Sequence, residues 1–198
     1  LGHIAVLRAG YPFRSSIQND PDGAIALIQG RDVDADRLRI APAQDKLTRI
    51  SSECIRNLPE HLLQSTDVIL MARGPHNYSV PVGSEVSGKA IVPGSFHVLR
   101  PDEQLVFPPF LAWGLNQDAS QTVMRVNNSG TTIPMMSLDV LRALPVQLPP
   151  LDVQRRVALA GVAQPADPWV DRKAVKAVMR HPAGHDSLGQ VRELVTGA

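Results

Sequence analysis

Arg73, His76, Asn77 and Tyr78 lie within one short stretch of the chain, and Gln117, Gln121, Arg125, Asn127 and Asn128 make a second run of similar type. These side chains can read nucleic acid. Arginine bonds both acceptors on the edge of a guanine, and asparagine or glutamine matches the donor and acceptor of an adenine, so their patterns distinguish base pairs in the major groove. Lys89 adds a cation between the two runs. Both runs fall in stretches that read as loops, where recognition residues held by rigid strands tend to sit. Taken singly, each is ordinary polar surface.

Other chemistry meets physical objections. Asp32, Asp34 and Asp36 alternate like the start of a calcium loop, but the glycine and glutamate such a loop needs further on are missing, so a solvated turn is expected. His181 and His185 are spaced for two ligands on one helix face, yet Pro182 and Gly184 break any helix between them. No metal or other cofactor is expected. The turn Phe107-Pro108-Pro109-Phe110 has the outline of a catalytic turn in amino-methyltransferases, where a polar residue before the prolines accepts from the target amine. Phe107 cannot accept. No glycine-rich loop offers S-adenosylmethionine a place, and no P-loop, activated nucleophile or carboxylate pair stands out. The expectation is a chain that is not an enzyme.

The totals bound what must position these residues. A chain of 198 residues with 43% hydrophobic content can build one domain with a full core and a small appendage. Its 17 prolines and 14 glycines are spread out, which implies many short elements joined by tight turns. With only 4% aromatic residues the core must come from Leu, Val and Ile. A net charge of +1, from 20 basic and 19 acidic residues, carries no electrostatic signature of nucleic-acid binding. A basic face would have to be local, and Arg73, Lys89 and Arg100 stand against Glu85 alone between Val68 and Pro101. The single cysteine, Cys54, excludes an internal disulfide and fits a reducing compartment. Apolar runs fall short of the roughly 18 residues that span a membrane. A cytoplasmic protein without membrane contact is expected, and Leu1 in place of Met points to a chain that begins after a processed tag or was cut from something longer.

Along the chain, Ile4, Val6 and Arg8 form one face of a strand ended by Gly10, and a second strand covers Ala24 to Gln29. A polar turn from Gln64 to Asp67 launches a strand from Val68 to Met71, which ends at Ala72-Arg73-Gly74 beside a polar loop. A β segment from Ala90 to Arg100 meets the turn Pro101-Asp102, and Pro108-Pro109 starts a helix reaching about Asn116. Ser137 caps a helix carrying Leu138, Leu141 and Leu144; Pro145 stops it, and Pro149-Pro150 starts the next. A boundary near residue 164 separates a domain over 1–164 from a short helical tail over 165–198, a candidate for dimer or partner contact.

Read in order, the segments "GYPFRSSI", "ALIQGRDV", "LLQSTDVILMARG", "FHVLRPDEQLVFPPFLAWGL" and "SGTTIPMMSLDVLRALPVQLPPLDVQRRVA" resemble the target recognition domain of type I restriction-modification specificity subunits. The last is the most specific, with a Gly-Thr-Thr turn, a Ser-capped helix and a Leu-Pro-Pro-Leu-x-x-Gln helix start at one spacing. The resemblance implies an α/β (α+β) fold with a curved, mostly antiparallel sheet and flanking helices. It implies sequence-specific binding of double-stranded DNA, with no chemistry of its own, on behalf of a DNA adenine methyltransferase subunit and, through it, a restriction subunit in phage defence. Two departures bear on this. The family carries two such domains joined by long paired helices, whereas here there is one, and Pro165 and Pro168 interrupt the helix that starts near Leu151. Thr66-Asp67 stands where the family has Gly-Asp. A half-subunit that forms a homodimer, or a monomer on a short site, fits this layout. The alternative is an adaptor or decoy that docks on a methyltransferase or restriction subunit without binding DNA.

Overall fold

A computed structural model describes residues 1–34, 39–40, 47–74, 76–127 and 134–162. The tail expected over 165–198, with both of its helices and the His181/His185 pair, lies outside the described residues, as do Asp36 and Asn128.

The central layer is a four-stranded antiparallel sheet. Its strands are β1 (Ala5–Ala9), β6 (Val68–Met71), β7 (Ser79–Pro81) and β9 (Phe96–Pro101), in the order β1-β9-β6-β7. A three-stranded ladder, β5-β2-β8, is built from β2 (Ile25–Leu27), β5 (Thr48–Ile50) and β8 (Ala90–Ile91), with β2 and β8 parallel. A two-stranded ribbon joins β3 (Val33–Asp34) to β4 (Arg39–Ile40). The other pairings between described strands are antiparallel, as the resemblance implied, and one isolated bridge, Tyr11 to Pro93, is parallel. The single β segment expected from Ala90 to Arg100 divides at Pro93-Gly94, since proline cannot donate to a ladder. Gly10 passes so close to this break that a Cβ there would meet Pro93 O at 2.1 Å. Only glycine allows the approach.

Both faces of the central sheet are covered, which explains why β6 reads as an unbroken apolar run. Val68 and Leu70 face one cluster with Leu7, Leu99, Leu111 and Leu115, while Ile69 faces another with Phe96, Val98, Val80 and Val92. In β1 the buried side is Ala5 and Leu7; the expected face of Ile4, Val6 and Arg8 leaves Val6 70% exposed. The first cluster is roofed by α2 (Pro108–Leu115), α3 (Asp118–Asn127) and α4 (Leu138–Ala143). A short α1 (Leu58–His61) lies before β6.

Proline and serine start these helices where expected. Pro108 and Pro109 occupy the first turn of α2, and the Ser137 hydroxyl accepts from Val140 N at 3.2 Å to cap α4. Because α2 is apolar on several sides it is buried between the sheet and α5 (Leu151–Val162), whose Val153, Val157 and Ala158 pack on Phe110. The glutamine of the helix-start motif has a structural task. Gln154 Oε1 accepts from Phe107 N at 2.8 Å, and its Nε2 donates to Leu105 O and Pro149 O, which ties the turn before α2 to α5.

The polar run from Gln117 to Asn127 departs from expectation. It is helix α3 with its preceding residue, not a loop, held down by buried Met124 and half-buried Val123. Asp32 departs too. It is buried, with its carboxylate accepting from Gln29 N at 2.8 Å, so it closes a turn instead of facing solvent.

Candidate nucleic-acid interface

The end of β6 is extended by backbone alone. Ala72 N donates to Ser95 O at 2.8 Å, Met136 N donates to Ala72 O at 2.8 Å, and Gly74 N donates to Pro134 O at 2.9 Å. The result is an antiparallel bridge that sets Arg73 opposite Met135. Residues opposed in such a pair project to the same side. Both side chains are exposed, and the Arg73 guanidinium has no hydrogen bond or ion pair among the described residues. The segment 134–136 is fixed in turn by buried His97, whose Nε2 lies 2.7 Å from Met136 O. A carbonyl only accepts, so Nε2 carries the proton. Burial holds the pKa of His97 below the usual histidine value, against the opposing effect of that bond.

Gly74 turns the chain with φ of 117°, a conformation that side chains strain. The returning loop brings His76 and Tyr78 to the surface as a stacked pair, with ring centroids 5.5 Å apart and planes 25° from parallel. Asn77 between them points inward. It is 1% exposed, and its Nδ2 donates to Met71 O at 2.8 Å. Gln121 reaches across from α3, donating from Nε2 to Asn77 O at 3.0 Å and to Leu115 O at 2.8 Å. The structure therefore gathers Arg73, His76 and Tyr78 at one end of the sheet, and gives Asn77 and Gln121 the work of holding that end together.

The remaining expected residues are more dispersed. Gln117, Gln121 and Arg125 recur every fourth residue and share one stripe of the α3 surface. Gln117 and Arg125 are exposed and, among the described residues, bonded only locally to Trp113 O and Thr122 Oγ1. Asn127 is exposed and bonds Val123 O. Lys89 is exposed at the start of β8, where the neighbouring Gly88 N donates to Leu63 O. Leu63 precedes β6 and Arg73 follows it, so Lys89 sits at the other end of the sheet. Arg100 is not available to a basic face either. It pairs bidentately with the buried carboxylate of Asp67 at 2.7 and 2.9 Å, a bond that pushes its pKa above the ordinary value. Asp67 also accepts from Gln64 N, closing the turn that launches β6.

Two residues at this site carry no sequence signal. Asn116 ends α2 and bonds Ser79 on both sides of its backbone, and Met135 lies beside Arg73 only because strand and bridge meet. Among the described residues no group of three or more His, Cys, Asp or Glu is placed to hold a metal, and no helix is long and apolar enough to cross a membrane.

No family model and no curated protein matches the chain. Solved structures do. The HsdS subunit from Thermoanaerobacter tengcongensis is similar over 80% of this chain, with a TM-score of 0.58 and 18% identity. A chain from a structure concerned with complex assembly and conformational transition of the type I R-M system is similar over 90%, with a TM-score of 0.60 and 18% identity. This chain spans 39% and 42% of the length of those two proteins. At such identity the likeness is one of backbone, and on that ground the chain has the fold of type I restriction-modification specificity subunits.

Proposed function

We propose that the protein binds double-stranded DNA at a chosen sequence as the specificity component of a restriction-modification or related phage-defence system. It performs no chemistry itself. Its task is to place a partner adenine methyltransferase, and with it a restriction subunit, in the cytoplasm. Gripping and bending the duplex would ease the extrusion of an adenine that the partner methylates. The observation that carries this reading is the exposed Arg73 guanidinium, which has no hydrogen bond or ion pair among the described residues and stands at the end of β6 a few residues before the exposed His76–Tyr78 stack. Arg73 suits a guanine edge, and Gln117 and Arg125 along α3 extend the same contact. In this reading the tail over 165–198 serves dimer or partner contact, and where two copies join, the pair of domains reads a two-fold symmetric site.

Selection from randomised duplexes by the purified chain tests the proposal, with and without a methyltransferase. One short motif should be enriched, and affinity should fall steeply with salt. Enrichment of no motif under either condition removes the idea. A second reading, an adaptor or decoy that docks on a methyltransferase or restriction subunit, is favoured by the net charge of +1 and by the engagement of Arg100 with Asp67. In that case a pull-down recovers a protein partner while the chain ignores DNA at low salt.

A further inference from the structure

The loop bearing His76 and Tyr78 returns into β7 at Ser79, on the outer edge of the central sheet. An edge strand offers unpaired backbone groups, and here a side chain takes the place of the missing strand. Asn116 Oδ1 accepts from Ser79 N at 2.9 Å, and Asn116 Nδ2 donates to Ser79 O at 2.7 Å. One amide thus copies both bonds that a neighbouring strand would make to that residue. Its Nδ2 also donates to Ala112 O at 2.8 Å, and Ser79 Oγ donates to the same carbonyl at 2.9 Å, so the edge is tied to the last turn of α2. Gln121 holds the other side of the loop through Asn77 O. The first strand residue after the loop and the loop's own middle are therefore gripped by α2 and α3, and the rings of His76 and Tyr78 stand on that support.

We propose that Asn116, with Gln121, is a positioning residue for sequence discrimination: it sets the register of the His76–Tyr78 loop against the duplex without touching DNA. This rests on the reading that the loop meets DNA. The physical reason is that phosphate contacts tolerate displacement, whereas hydrogen bonds to base edges have narrow distance limits. A loosened loop keeps its charge and loses its alignment. Discrimination should then fall while non-specific binding persists.

The test uses the full chain and the motif enriched in the selection. The affinities for that duplex and for a scrambled one are measured for the wild type, Asn116→Ala and Asn116→Asp. Asn116→Asp retains the acceptor for Ser79 N and loses the donor to Ser79 O, so it also serves if the alanine variant folds poorly. Losing the alignment of one base pair corresponds to a drop of about tenfold in the ratio of the two affinities. We expect such a drop for Asn116→Ala and one at least as large for Asn116→Asp, whose second carboxylate oxygen faces the acceptors Ser79 O and Ala112 O, with scrambled-duplex affinity and salt slope unchanged in both. Amide exchange at Ser79 should quicken in step. A ratio unchanged in Asn116→Ala, despite quickened exchange at Ser79, overturns the positioning role and leaves DNA reading intact. Equal binding of both duplexes by the wild type overturns DNA reading and this role together.

Discussion

Removal of the Arg73 side chain should disturb the fold little, because its guanidinium makes no hydrogen bond or ion pair among the described residues. If it reads a guanine, Arg73→Ala should cost about 1–3 kcal/mol at one position of the motif and relax preference there alone. Binding of motif variants by the purified protein checks this, and a uniform loss across all sequences would assign Arg73 to a phosphate instead. The sequence offered the residue types of the candidate interface, but not the directions of their side chains. Asn77 and Tyr78 are neighbours in one polar stretch, yet one is buried and the other is exposed. The difference comes from Met71 O below Asn77 and from Gln121, 44 residues away. No local pattern encodes such partners.

Elements that begin with a proline or a capping serine were legible because their starts are local chemistry: Pro108-Pro109 for α2, Ser137 for α4 and Pro149-Pro150 for α5. Helix α3 was not. Its Ser, Thr, Val and Asn are indifferent helix formers, and with Met124 as its only fully buried residue the apolar periodicity is thin. The joint between α2 and α5 makes a prediction at this scale. Gln154 is buried and satisfies Phe107 N, Leu105 O and Pro149 O. Leaving such groups without partners costs roughly 1–3 kcal/mol each where water cannot reach them. Gln154→Ala should therefore lower unfolding free energy by about 3 kcal/mol, as read by urea denaturation. A loss below about 0.5 kcal/mol, the level of an ordinary surface substitution, would mean that the turn before α2 is not held by this side chain.

The whole molecule responds to pH through its histidines. Burial lowers the folded pKa of His97, and burial followed by the nearby Arg8 charge lowers that of His61. An unfolded chain binds protons at these sites near pH 6.5, before the folded one does. Their contribution to stability is thus fully present above that value and is lost as pH falls through the folded values. Denaturation midpoints should drop between pH 7.5 and 5, and His97→Gln should flatten part of the slope. A midpoint that rises on acidification over that interval would reverse the assigned sign. The consequence reaches the candidate interface, since His97 holds the 134–136 bridge beside Arg73. Charge at this scale is equally informative. Arg100 is spent on Asp67 and Lys89 sits at the opposite end of the sheet from Arg73, so a summed count of basic residues described no surface.

By itself the sequence determined where proline and glycine turn the chain, where proline and serine start helices, and which runs are apolar enough to bury. Those are short-range matters of backbone geometry and of hydrophobicity repeating along the chain, and they carried the order of segments that resembles a specificity domain. Which polar side chains face outward, and which are consumed in holding others, only the tertiary structure decided. Asn116 and Ser79 meet because a helix end is packed on a sheet edge, and Arg73 meets Met135 because two distant stretches form one bridge. A hydrogen bond between residues far apart in the chain depends on the positions of everything between them, and that information exists only once the core has formed.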